Sequence, residues 1–183
     1  MALFGWWWNY ASGQRSLDFW GESGALTIRD ATSVELFQLR PVPTNLKPDE
    51  YPPVILIQEP SSVSPLVGTQ GGRNSVYIEG NPKDVTQAPG LIHARHSLLV
   101  DAGFAWTREP VANQARWSYG ARFTDSSGVV TIVFDFPSRR LYYLEERKIV
   151  SLSPKTVEGW QTYFRRYFSP AETRAAVPKD KQE

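Results

Sequence analysis

Apolar and polar positions follow two rhythms along this chain. Between Trp117 and Phe168, four short apolar runs alternate with clusters of turn-forming residues, and a helical pattern closes the stretch. The run Val129–Phe136 (VVTIVFDF) is β-branched and aromatic with little polar interruption, which predicts a strand covered on both faces. Trp117–Thr124 precedes it across an Asp125-Ser126-Ser127-Gly128 turn. Arg140–Leu144 and Ile149–Leu152 follow, across Pro137-Ser138-Arg139 and Glu145–Lys148. The stretch reads as an antiparallel meander. Beyond it, Ser153-Pro154 supplies an N-cap and a first-turn proline. Val157, Trp160, Phe164, Tyr167 and Phe168 then recur on one helical stripe, expected to lie across the sheet.

The earlier chain is less regular. Ala11–Glu22 reads as loop with Phe19 and Trp20 tucked under the core, and Ala25–Ile28 as a short strand or extended arm. Ser33–Arg40 alternates as a strand, with Val34 and Leu36 facing one way and Phe37 and Leu39 the other. Pro41 and Pro43 end it, because proline cannot continue a ladder. Val54–Gln58 (VILIQ) predicts an edge strand among prolines, and Ser75–Glu79 (SVYIE) another strand followed by a turn over Asn81–Gln87. Ser61–Asn74 reads as a flexible loop whose Gly71-Gly72-Arg73 lacks the spacing of a phosphate-binding loop. A helix is expected over Pro89–Ala102, with Leu91, Ile92, Arg95, Leu98 and Leu99 on its inner side and Gly103 as its C-cap. Phe104 and Trp106 should anchor the connection that follows.

The resulting expectation is an α+β fold: an antiparallel β-meander sheet of about five strands with two helices packed on one face. An aromatic arm over 1–22 would precede a single domain over 23–169, with a Pro/Gly-rich insert at 41–74 and a polar tail over 170–183.

Composition changes this picture little but excludes several chemistries. The 183 residues carry 20 Lys/Arg and 19 Asp/Glu, so no overall field recruits nucleic acid or an anionic membrane. Cysteine is absent, which removes disulfides, thiolate catalysis and Cys-based metal sites together. No stretch approaches the ~20 apolar residues of a transmembrane helix, and the N-terminus lacks the pattern of an intact signal peptide. Trp6, Trp7, Trp8 and Tyr10 are packed into ten residues, a composition that suits a core cap, a protein-docking site or a membrane-surface anchor.

Asp135 is the one charged residue inside the central apolar run, and an ion pair with Arg139 or Arg140 is the expected reading over an active-site acid. His93 and His96 have no third metal ligand in register and read as surface residues, so neither a metal nor a cofactor is expected. Arg139, Arg140, Tyr142 and Tyr143 read as an exposed basic and aromatic face. Interspersed Glu145 and Glu146 weaken its appeal to single-stranded nucleic acid.

The segments SLDFWGESGALTIRDATSVELFQL (Ser16–Leu39) and YGARFTDSSGVVTIVFDFPSRRLYYLEERKIVSLSPKTVEGWQTYFRRYF (Tyr119–Phe168) resemble a group of small uncharacterised bacterial proteins, many of them exported or lipoproteins. The resemblance implies the strand, helix, meander and closing helix already described, and by analogy an exported or membrane-peripheral location. It transfers no functional residue, and the missing cysteine leaves lipid attachment unsupported. The expected function is a non-catalytic binding or accessory module acting through a protein partner, with Trp6, Trp7, Trp8, Tyr10, Arg139, Arg140, Tyr142 and Tyr143 as interface candidates. A small-molecule binder or hydrolase with a pocket near Asp135 is the alternative, and a nucleic-acid binder a third.

Overall fold

The meander forms where the turn chemistry predicts it, and it is the centre of a larger sheet. The computed structural model describes residues 13–42, 54–58, 73–107 and 115–168. Helix α1 (Gln14–Asp30) leads into β1 (Ser33–Pro41), β2 (Val54–Gln58) and β3 (Arg73–Asp84). Helix α2 (Leu91–Leu99) and a 3₁₀ turn (Asp101–Gly103) follow, then β4 (Tyr119–Thr124), β5 (Val129–Asp135), β6 (Arg140–Tyr143), β7 (Lys148–Ser151) and α3 (Pro154–Phe168). The seven strands are ordered β2-β3-β1-β4-β5-β6-β7, and every neighbouring pair is antiparallel. The fold is α+β, as expected. The sheet exceeds about five strands because β2 and β3 join the edge of β1 instead of standing apart.

Side-chain alternation sorts the core into two layers. Val34, Leu36, Ala121, Phe123, Val130, Ile132, Phe134, Leu141 and Tyr143 face the helices. Phe37, Leu39, Val76, Trp117, Val133 and Tyr142 form a second, smaller cluster on the opposite face. Both faces of β5 are therefore buried, which is why its sequence is nearly continuous in apolar residues. Gly120 pairs with Phe37 across β4 and β1, and the Phe37 ring occupies the place a side chain at Gly120 would take.

Two local expectations are corrected. Gln14–Asp30 is helical, where loop and extended arm were predicted, and the expected domain boundary at residue 22 falls inside it beside a kink at Gly21 (φ 70, ψ 164). Its buried positions are Ser16, Trp20, Gly24, Thr27 and Ile28. That is a helical stripe made mostly of small and polar residues, invisible to a reading based on apolarity. Strand β3 also continues to Asp84 through the turn expected over Asn81–Gln87, helped by a register shift opposite Leu36–Gln38.

Helix α2 is shorter than predicted. Leu91 and Leu98 are buried, but Ile92 is 75% exposed and outside the packed stripe. In α3 the expected stripe is present, with Val157, Trp160 and Phe164 in the core and Tyr163 added to it. Among the described residues no helix is long and apolar enough to cross a membrane.

Candidate functional site

The face expected from Arg139, Arg140, Tyr142 and Tyr143 does not exist as a surface. Consecutive strand residues point to opposite sides of a sheet, and here both sides are covered. Arg140 and Tyr142 are buried on the second face, Tyr143 is buried beneath α1, and only Arg139 reaches the surface, half-buried in the β5–β6 turn. The Tyr143 ring lies 5.2 Å from that of Trp20. Burial first, then Glu145 and Glu146, push the Tyr143 hydroxyl up to about 12. Trp6, Trp7, Trp8 and Tyr10 lie outside the described residues.

Asp135 forms the ion pair that its sequence context suggested. The Arg140 guanidinium donates to Asp135 Oδ2 from Nη2 at 2.8 Å and from Nε at 3.3 Å, while the Ser138 amide donates to Oδ1. The two side chains are 0% and 1% exposed, and the guanidinium stacks 5.5 Å from the Trp117 ring centre. This carboxylate closes a turn and neutralises a buried cation, and it lines neither of the clefts beside α2.

Two clefts flank α2. The first opens over Arg95, with a volume of about 520 Å³. Arg95 donates from Nη1 to the Arg29 carbonyl at 3.1 Å and from Nη2 to the Ala31 carbonyl at 2.9 Å. Burial lowers its affinity for its proton, and its hydrogen bonds serve the end of α1.

The second is a groove of about 510 Å³ between α2, the 3₁₀ turn and α3. Its inner wall is aromatic: Trp160 is buried against Phe134, with ring centres 4.9 Å apart, and Tyr163 beside it is 7% exposed. Trp160 Nε1 donates to Ser97 Oγ at 3.1 Å, and that hydroxyl donates to the Ala94 carbonyl at 2.7 Å, which joins the two helices. Ser153 caps α3 as its sequence predicts, its Oγ accepting from the Thr156 amide at 3.3 Å. Lys155 stands in the first turn on the groove's rim, and Gly159 leaves the rim open one helical turn further on.

His93 and His96, both exposed, line the same groove from α2. Among the described residues no three His, Asp or Glu side chains are placed to hold a metal ion. The Tyr163 hydroxyl is buried and lacks a well-formed hydrogen bond among the described residues, with Tyr167 as its polar neighbour. Burial, with neighbouring Tyr167 adding to it, holds its proton well above the usual phenol range.

Ser97, Lys155, Thr156, Gly159 and Tyr163 escaped the sequence reading as site residues. Their signal is faint: a glycine in the middle of a strongly amphipathic helix, four residues after a lysine, where neither residue is needed for the core. Convergence with α2 is what makes them a site. No protein-family model, curated protein or solved structure matches this chain.

Proposed function

We propose that this chain is a non-catalytic binding module whose working surface is the groove between α2 and α3. The observation that carries this reading is the groove's construction. It combines an aromatic inner wall with a small set of polar side chains from two helices, in a volume within the ~300–1,000 Å³ of typical ligand sites. The wall is held by the Trp160–Ser97–Ala94 hydrogen bonds, so the concavity needs no ligand to form. The functional alternative centred on Asp135 has less support, because that carboxylate is buried and engaged by Arg140 and lines neither cleft beside α2.

The test is a ligand screen followed by two-dimensional amide spectra of the isotope-labelled full chain. Binders should shift the amides of Ala94, Ser97, Gly159 and Trp160. Hits that consistently perturb other surfaces, and leave these four unmoved, would overturn the assignment. A protein-contact reading is a second possibility, favoured by the three consecutive tryptophans Trp6, Trp7 and Trp8. Deleting residues 2–10 should then abolish a stoichiometric complex while leaving the groove's ligand binding intact.

A further inference from the structure

The two edges of the sheet end differently. At β7 the edge is covered: Phe104 bridges Leu152, the Ala105 amide donates to the Ser151 carbonyl at 2.8 Å, and the Ser153 amide donates to the Gly103 carbonyl at 3.0 Å. Lys148 stands at the other end of that strand, the kind of charge that keeps a sheet edge from pairing. At the opposite edge β2 pairs with β3 alone, and among the described residues its outer side has no strand partner.

The sequence of β2 is VILIQ, five residues with no charge, no proline and no glycine. The outward amides and carbonyls of such a strand form a ready template for another strand. The part of β3 that runs past β2 carries its own obstacles, Gly80 at φ 69, Pro82 and Lys83. The unguarded edge is therefore confined to Val54–Gln58, bracketed by Pro52 and Pro53 on one side and Pro60 on the other.

We propose that β2 is a self-association edge: two copies of this chain pair β2 against β2, antiparallel about a two-fold axis, and join their sheets. The occupant is a second copy because the strand is complementary to itself. A two-fold through Leu56 keeps all five residues paired, setting Leu56 against Leu56, Ile55 against Ile57 and Val54 against Gln58 of the second copy. No charged residue in the strand opposes that arrangement. Because the β7 edge is covered, the joined sheets present no second edge of this kind among the described residues, and association closes at two copies. A five-residue edge is smaller than a standard interface of about 1,600 Å², so the dimer is reversible and concentration-dependent.

The test is sedimentation velocity of the full chain over a range of concentrations, where monomer and dimer should exchange with nothing larger. Leu56→Lys and Ile57→Lys put like charges across the two-fold from opposite faces of the strand. Each should weaken the dimer roughly tenfold or more, and a melting temperature near that of the parent chain shows that the variant is folded. The chain has no cysteine, so a single Leu56→Cys has only its own copy to pair with. Facing Cα atoms in an antiparallel pair lie about 4.5–5.5 Å apart, within reach of a disulfide. Leu56→Cys should therefore give a covalent dimer on mild oxidation, and Lys148→Cys at the covered edge should not.

A chain that stays monomeric at every concentration overturns the proposal, as does a dimer that both lysine variants leave intact. Assembly beyond two copies would overturn the closed arrangement. If a lysine variant fails to fold, the cysteine pair decides: Leu56→Cys linking no better than Lys148→Cys excludes β2 as the contact.

Discussion

Helices α1 and α3 pack on the same face of the same sheet, yet they are held in opposite ways. Helix α3 carries its own instructions: a serine cap, a first-turn proline, and an apolar stripe from Val157 through Trp160 and Phe164. Helix α1 has no side-chain cap at Gly13, is broken by Gly21, and buries Ser16, Gly24 and Thr27 where α3 buries aromatic rings. What α1 lacks locally, α2 and its 3₁₀ turn supply.

The Asp101 carboxylate accepts from the Ser16 amide at 2.8 Å, across 85 residues of chain, and so caps the start of α1. Arg95 closes the other end on the carbonyls of Arg29 and Ala31. The debt is mutual in geometry: Ser16 Oγ and Trp20 Nε1 donate to the Leu99 and Leu98 carbonyls at 2.8 and 2.6 Å, satisfying the last turn of α2. Lys148 completes the arrangement by donating to the Phe19 carbonyl beside the kink. A helix can thus owe its ends to segments remote in sequence, and a reader of local pattern will find α3 and miss α1.

The sharpest way to break the comparison is Trp20→Ala, which removes both the anchor ring and the bond to Leu98. The expected loss is about 3–5 kcal/mol in urea denaturation. A loss below about 1 kcal/mol, the range of an ordinary surface change, would show that α1 is not seated through this residue. Next in size is Gly21→Ala. With φ 70 and ψ 164, Gly21 occupies a region essentially reserved for glycine, so the substitution should destabilise by about 1–3 kcal/mol. A stabilised variant would instead mean that the two halves of α1 merge into one continuous helix.

The two caps sharpen the contrast directly. Asp101→Ala and Ser153→Ala should each cost about 0.5–2 kcal/mol, but with different footprints in amide hydrogen exchange. The first should accelerate exchange at Ser16, far away in sequence, and the second at Thr156, three residues away. Unchanged exchange at Ser16 in the Asp101 variant would make the remote cap idle.

The smallest effect is alkaline. Tyr143 packs under α1, and its proton is held to about pH 12 in the folded chain against an ordinary 10.0. Because the folded state binds that proton more tightly, its contribution to stability is complete below about pH 10 and fades as the pH rises toward 12. Tyr143→Phe should flatten the stability profile across that window, and an identical slope in both proteins would remove Tyr143 as the cause.

Much of the site could be reached from sequence in fragments only. The Asp135–Arg140 pair was within reach because a lone carboxylate before a two-arginine turn has its partner nearby, whatever the rest of the chain does. Local geometry alone parts Tyr142 from Tyr143, since adjacent strand residues cannot share a face. That both faces of β6 are covered, however, depends on what stacks there. The groove is the opposite case. His93 and His96 were correctly expected on an exposed helix face, but their meeting with Lys155, Gly159 and Trp160 requires α2 and α3 to converge across sixty residues of chain.

By itself the sequence determined what is periodic and local: the four meander strands, the run of β1, the edge strand β2, and α3 with its cap. These signals survive because the repeat of a strand or helix and the geometry of a capping residue are set within a few residues. Tertiary structure alone decided the extent of β3, the helical state of Gln14–Asp30 and the existence of the groove. In each of these the deciding hydrogen bonds and contacts join residues tens of positions apart, and the burial stripe of serine, glycine and threonine in α1 is covered only when α2, Tyr143 and the β4–β5 turn are brought against it.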